Sequence, residues 1–325
     1  MSRVFKNCFI TGVTGSGGSY LAENIFLKDK RIKISGSYRS KGYYKLLKKN
    51  VKNIKLYRLD LRKYNSIYRL LKKVKPDVIF HFASNADVRG SFDNPISFVE
   101  NNNSLTVNLL EAARRLNLKS IIIICSSSEV YGEVSKKDIP LREDQKFNPV
   151  NPYAATKAFQ DSISQIYYKC FNLNIIITRM FSYTNARRKN LFQTAFANQI
   201  IRIKNKKQKI LYHGNLDSIR TFIDIKDAMD AYWLAAVKGK IGEIYNIGGD
   251  KIISVRNFLN NLCKIAKIKI KTKLDLKLLR PKDVTLQITD SKKFRKHTGW
   301  KPKVKFEDSV KNLLLSCEQL QNSKI

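Results

Sequence analysis

Thr11-Gly12-Val13-Thr14-Gly15-Ser16-Gly17-Gly18-Ser19-Tyr20-Leu21 follows without a break on residues 4–10, an apolar run that reads as a buried strand. The glycines at 12, 15 and 18 serve separate ends. Gly12 allows a tight turn, Gly15 lets backbone approach a pyrophosphate, and Gly18 lets a helix pack closely. With Ser16 and Gly17 they form a loop leading into a helix that begins near Ser19 and is amphipathic over residues 21–27. Phosphates sit on the positive end of such a helix. Strand, glycine-rich turn and helix in this order predict a dinucleotide-binding βα unit.

Working outward, residues 32–38 read as a second strand ending over the adenosine ribose. An acidic residue there grips the 2′-hydroxyl of NAD, and an arginine accepts the 2′-phosphate of NADP. The chain offers Tyr38-Arg39-Ser40, which predicts NADP held by Arg39, with NAD as the alternative. After a third strand, Asp60, beside Leu61, is placed either to hydrogen-bond the adenine edge or to cap a helix. A fourth strand, residues 77–82, leads to Ala83 and other small residues that let the chain pass beneath a cofactor. A fifth, residues 120–124, ends in Cys125-Ser126-Ser127-Ser128-Glu129-Val130-Tyr131-Gly132. Open parallel sheets keep their chemistry at strand ends of this kind. Consecutive parallel strands need crossover helices, so the alternation up to about residue 180 predicts an α/β fold with a doubly wound parallel sheet (Rossmann).

Tyr153 and Lys157 lie four residues apart in Asn151-Pro152-Tyr153-Ala154-Ala155-Thr156-Lys157, one face of a helix. A cation beside a phenol favours the phenolate, which can then take a hydroxyl proton. The spacing alone occurs by chance on many helices; its company with the glycine turn and the Ser127–Glu129 strand end gives it meaning.

On these residues the chain resembles the extended short-chain dehydrogenase/reductases that modify nucleotide sugars, most of all the GDP-mannose 4,6-dehydratases. The likeness runs over essentially the whole length. It adds Gly214-Asn215-Leu216-Asp217-Ser218-Ile219-Arg220 and Arg280-Pro281-Lys282-Asp283 followed by Thr298-Gly299-Trp300-Lys301-Pro302, which belong to the sugar-nucleotide side. The resemblance implies Ser127 as the active-site hydroxyl, Glu129 as the dehydratase acid/base, and Tyr153 and Lys157 as the oxidation pair that also meets the cofactor. It implies substrate contacts from Ser182, Arg187, Arg220 and Arg280, the last two clasping a nucleoside diphosphate. It further implies conversion of GDP-mannose to GDP-4-keto-6-deoxymannose with transient hydride transfer to bound NADP, in a homodimer or homotetramer, without a metal. Departures leave rivals open: Ser182 and Ala186 stand where these dehydratases carry Asn and Pro, Phe196 where the longer ones carry a diphosphate-facing Lys, and Leu105 where a glycine is usual. Residues 195–200 also look like the sister GDP-4-keto-6-deoxymannose reductases. Epimerases and decarboxylases of the same fold are further alternatives.

Past residue 180 the strand and helix signals interleave. The Rossmann domain is drawn as residues 1–180 and 223–260, and a smaller C-terminal substrate-binding lobe as 181–222 and 261–325. The chain has 325 residues, of which 43% are hydrophobic, enough for a large core. No apolar run approaches the roughly 18–20 residues of a membrane span, and residues 1–12 do not read as a signal peptide, since their short apolar run is accounted for as the first strand. Five scattered cysteines and three histidines fit neither a disulfide framework nor a zinc site and suit a reducing cytoplasm. The formal net charge of +36 raises a non-enzyme alternative, a basic RNA-binding protein on the same fold. The lysines are spread along the chain among many isoleucines and asparagines, which points to drift in base composition rather than a nucleic-acid stripe.

Overall fold

The computed structural model describes residues 2–322; residues 1 and 323–325, the ends of the ranges drawn above, lie outside it. The first half alternates β1 (Asn7–Thr11), α1 (Ser16–Lys28), β2 (Lys33–Tyr38), α2 (Tyr44–Asn50), β3 (Lys55–Arg58), α3 (Tyr64–Val74), β4 (Val78–His81), α4 (Val88–Asp93), α5 (Pro95–Arg115), β5 (Ile121–Ser127), α6 (Pro152–Phe171) and β6 (Ile175–Met180). The remainder adds β7 (Ser182–Tyr183), α7 (Phe192–Lys204), β8 (Ile210–His213), β9 (Ile219–Ile223), α8 (Ile225–Lys238), β10 (Ile244–Ile247), β11 (Lys251–Ser254), α9 (Val255–Ala266), β12 (Lys271–Leu274), β13 (Leu286–Gln287), α10 (Lys292–Thr298) and α11 (Phe306–Asn322).

Seven strands form one parallel sheet in the order β10-β6-β5-β4-β1-β2-β3. Strand side chains alternate between faces. Ile121 and Ile123 accordingly join Leu21, Ile25 and Tyr232 of α1 and α8 on one side, while Ile122 and Ile124 join Leu71, Leu109 and Tyr167 of α3, α5 and α6 on the other. Both faces are covered, as the apolar strand composition requires. The strand order reverses between β1 and β4, where Thr11 pairs with His81, so the chain ends leaving these strands diverge and open a crevice. Among the described residues no helix is long and apolar enough to cross a membrane.

Several boundaries differ from the sequence reading. The first strand starts at Asn7; Val4 is exposed, because Arg3 binds the end of α8 through Ala236 O at 2.8 Å and Gly239 O at 2.7 Å. Helix α1 starts at Ser16, three residues earlier than expected, because Gly15 N–H closes the turn onto Gly12 O at 2.9 Å. A boundary at residue 260 would cut α9, yet its Val255, Phe258, Leu259 and Leu262 all pack with α7 and α11 in a second core. Phe192, Phe222, Phe258 and Phe306 contact one another there edge to face or tilted. Conversely, α10 lies within the range drawn for the lobe but belongs to the Rossmann core. It covers edge strand β10, with Phe294 packed 5.2 Å from Tyr245 and 5.6 Å from Trp300, whose indole donates to Asp227 O.

One buried ion pair fastens β6 to α6. Arg179 Nε donates to Asp161 Oδ2 at 2.8 Å, with the two side chains 3% and 0% exposed, and Arg179 also reaches Tyr131 Oη and Glu143 O. Removing the carboxylate strands a buried guanidinium, so Asp161→Ala is expected to lower stability by about 3–5 kcal/mol, read by urea denaturation. A loss below 1 kcal/mol would show that the pair is not structural.

Candidate active site

The crevice between β1 and β4 widens into a cleft of about 500 Å³. It brings together Gly12, Gly15, Ser16, Gly17, Gly18, Arg39, Asp60, Leu61, Ala83, Ser127, Glu129, Tyr153, Lys157, Ser182, Arg220 and Arg280. Of the residues expected to meet cofactor, substrate or the reacting atoms, Arg187 alone does not line it.

The nucleotide end is built by close backbone approaches. Gly12 sits at φ +66°, and a Cβ on it would come 2.9 Å from Ala83 Cα; a Cβ on Gly18 would meet Gly12 O at 2.6 Å. Helix α1 has no side-chain cap, so the free N–H groups of its first turn are available to an anion. Ser37 Oγ, at the end of β2, is buried without a hydrogen-bond partner and faces the same space. The glycine cradle, uncapped helix and orphaned hydroxyl fit a dinucleotide. Arg39, exposed, donates to Asn101 Oδ1 at 2.9 Å. Asp60 caps no helix: α3 is capped at Lys63, and the Asp60 carboxylate, held low by its hydrogen bonds to Arg62, accepts Arg62 Nη2 at 2.6 Å and Nε at 2.9 Å. An adenine arriving here meets a carboxylate already engaged.

The chemical end is set by the start of α6. Asn151 Oδ1 caps the helix by accepting Ala154 N–H at 2.7 Å, and Pro152 opens the first turn, which places Tyr153 and Lys157 one turn apart and buried. Burial pushes the Tyr153 phenol up to about 12, offset by the Arg188 guanidinium and a hydrogen bond to Ser127. Lys157 Nζ lies over the tyrosine ring, 5.9 Å from its centre, and donates to Cys125 O at 2.7 Å, while the Arg188 guanidinium is the cation that offsets burial at the phenol. Burial pulls the Lys157 ammonium down to about 8. His81 bonds Thr11 and Thr106 through its two ring nitrogens, and burial drives it down to about 3, which makes it a neutral structural group.

Glu129 lies in the short turn after β5, where its N–H donates to Ser127 Oγ at 3.2 Å. Its Oε2 accepts Asn151 Nδ2 at 3.0 Å and its Oε1 accepts Gln287 Nε2 at 3.3 Å. At the far end, Arg220 Nη2 donates to Val284 O at 2.8 Å and Arg280 Nη1 to Asp283 Oδ1 at 3.1 Å. Burial lowers the Arg220 pKa.

Arg187 is a structural clamp rather than a substrate contact. It pairs with Glu23 at 2.8 Å, donates to Ser19 Oγ at 2.9 Å and stacks 3.8 Å from the Tyr20 ring centre, fixing the loop before α7 to α1. Its neighbour Arg188 reaches the cleft and donates to Ala86 O. Adjacent arginines offer no sequence signal for which one faces inward. Asn151 was legible as an Asn-Pro helix start, whereas nothing in the sequence marks Gln287.

Residues 9–313 match the sequence model of the family described as GDP-mannose 4,6 dehydratase. An uncharacterized protein of Methanocaldococcus jannaschii is 29% identical over 317 residues, 94% of each chain. The GDP-mannose 4,6 dehydratase of Homo sapiens is 28% identical over 355 residues, covering 99% of this chain and 94% of that one. The GDP-6-deoxy-D-mannose reductase of Pseudomonas aeruginosa is 27% identical over 264 residues, covering 81% and 86%. Among solved structures, RMD from Pseudomonas aeruginosa complexed with NADPH superposes with TM-score 0.82 at 23% identity, covering 97% of this chain and 99% of that one. UDP-glucuronic acid 4-epimerase from Bacillus cereus in complex with UDP-glucuronic acid and NAD gives 0.83 at 26%, with the same coverage. The glycine turn, parallel sheet and matched length agree, and the chain belongs to the GDP-mannose 4,6-dehydratase family of extended short-chain dehydrogenase/reductases.

Proposed function

We propose that the protein is a nucleotide-sugar 4,6-dehydratase that converts GDP-mannose to GDP-4-keto-6-deoxymannose with transient hydride transfer to bound NADP. The observation that carries this reading is the buried carboxylate of Glu129 in the same cleft as Ser127, Tyr153 and Lys157. A nicotinamide dinucleotide bound there supplies a hydride acceptor that later returns the hydride. Tyr153 Oη takes the proton of the sugar 4-hydroxyl as the C4–H bond breaks, Ser127 hydrogen-bonds the C4 oxygen, and Lys157 binds ribose hydroxyls. The resulting 4-ketone acidifies C5–H. Glu129 takes that proton and gives it to the departing 6-hydroxyl, so water leaves across C5 and C6; the returning hydride ends on C6, and C5 gains a proton that balances the one Tyr153 took from the 4-hydroxyl. Arg220 and Arg280 hold the diphosphate through their guanidinium N–H donors. The same reading takes the protein as a cytoplasmic homo-oligomer. The test is incubation with a panel of sugar nucleotides and detection, by mass, of a product that has lost one water.

A second reading, reduction of a 4-keto-6-deoxy sugar nucleotide, is favoured by Phe196. Where the longer dehydratases carry a lysine, this side chain is buried in the second core and offers no charge to a diphosphate. Reduction of a 4-keto sugar with added NADPH, without dehydration of any hexose, would replace the first reading.

Relatives of this fold hold NADPH in one case and NAD in the other. Arg39 and the absence of a carboxylate at the end of β2 favour NADP. Arg39→Ala is expected to weaken NADP binding by about 1–3 kcal/mol and leave NAD nearly unchanged, measured by calorimetry. Equal wild-type affinities for the two would refute the preference.

A further inference from the structure

Both oxygens of Glu129 are met by side-chain amides, and neither amide is free to turn over. Asn151 spends its carbonyl oxygen on the α6 cap, which leaves its amino group for Glu129 Oε2. Gln287 stands directly opposite Arg220 in the β13–β9 pairing, and its carbonyl oxygen accepts from Arg220 Nη1. A guanidinium has donors only and an ionised carboxylate acceptors only. Reversing the Gln287 carboxamide would set NH₂ against guanidinium and oxygen against carboxylate, so the orientation follows from its neighbours. A directed row therefore runs from the guanidinium on β9, through a carboxamide on β13 that is 2% exposed, to the carboxylate after β5.

We propose that Gln287 is a positioning residue: oriented by Arg220, it holds the Glu129 carboxylate in place and joins the diphosphate end of the cleft to its acid/base end. The inference rests on the reading of Glu129 as acid/base. The charged and titratable groups facing Glu129 are Arg220 beyond β13, with Arg280 behind it, and Tyr153 from α6. Two N–H donors, one on each oxygen, fix the direction in which the carboxylate faces the cleft. Loss of the Gln287 donor leaves the carboxylate held by Asn151 alone and free to swing.

The test uses full-length protein labelled with ¹³C at the glutamate carboxyls, the Glu129 signal being identified by its absence in Glu129→Gln. This comparison needs no substrate. In Gln287→Leu the Glu129 carboxyl signal is expected to shift and broaden relative to the wild type, because one of its two donors is lost, and in Gln287→Glu to shift further, because a second carboxylate then stands opposite. In turnover, Gln287→Leu is expected to slow product formation roughly 10- to 100-fold, the loss of one charge-assisted hydrogen bond. Reduction of bound nicotinamide in the first half-reaction should keep its wild-type rate and KM should change little. Should Gln287→Leu fail to fold, Gln287→Glu, which keeps the shape and the acceptor for Arg220, carries the test alone. An unmoved Glu129 carboxyl signal in the folded variants overturns the proposal. A Glu129→Gln enzyme turning over at the wild-type rate overturns the acid/base reading instead, whatever the carboxyl signal shows.

Discussion

Glu129→Gln is expected to stop the reaction after its first half, with reduced nicotinamide accumulating on the enzyme and 6-deoxy product forming roughly 10²–10⁴ times more slowly. The substitution keeps the size of the side chain and removes its basicity, so oxidation at C4, which depends on Tyr153, continues while proton removal at C5 fails. It also disturbs the local bonding. A glutamine offers an acceptor at only one of its two ends, whereas both Asn151 Nδ2 and Gln287 Nε2 donate toward this position. One of those amides therefore loses its acceptor. Stopped-flow absorbance of the reduced nicotinamide, with product measured by mass, separates the two halves. Wild-type product formation, or failure of the first half as well, would show that the carboxylate does not have this role.

Tyr153→Phe is expected to abolish both signals, again by roughly 10²–10⁴ in rate, because it removes the group that takes the first proton while leaving the buried ring in place. The phenol is pushed up to about 12 by burial, so at neutral pH it is protonated and the first half-reaction should speed up as pH rises. A nearby cation favours the phenolate and lowers this value. Arg188→Ala removes that cation, raises the phenol pKa further and is expected to shift the rising limb of the pH profile to more alkaline values, with Arg188→Lys restoring part of the shift. A profile unchanged in Arg188→Ala would return the electrostatic role to Lys157.

The glycine turn, the parallel sheet and the Tyr153–Lys157 helix were legible in the sequence because each depends on local rules. Gly12 answers a positive φ and a close backbone approach, the isoleucines of β5 answer a strand buried on both faces, and the four-residue spacing answers one helical turn. Long-range side-chain partnerships were not legible. Whether Arg187 or Arg188 enters the cleft depends on how one loop seats against α1, where Glu23 and Tyr20 capture the first and leave the second to the site. Lys157 follows its helix as expected, but the direction of its ammonium is chosen by a carbonyl of β5. The return of α10 to the Rossmann core answers an uncovered sheet edge that exists only once β10 has paired with β6. Gln287 lies 158 residues from the carboxylate it holds, and only the pairing of β13 with β9 brings it there. Sequence alone determined the elements and which side chains sit on them, because backbone conformation and periodic burial are properties of neighbouring residues. Tertiary structure decided which charged groups face one another, because strand register and loop seating choose partners from distant parts of the chain.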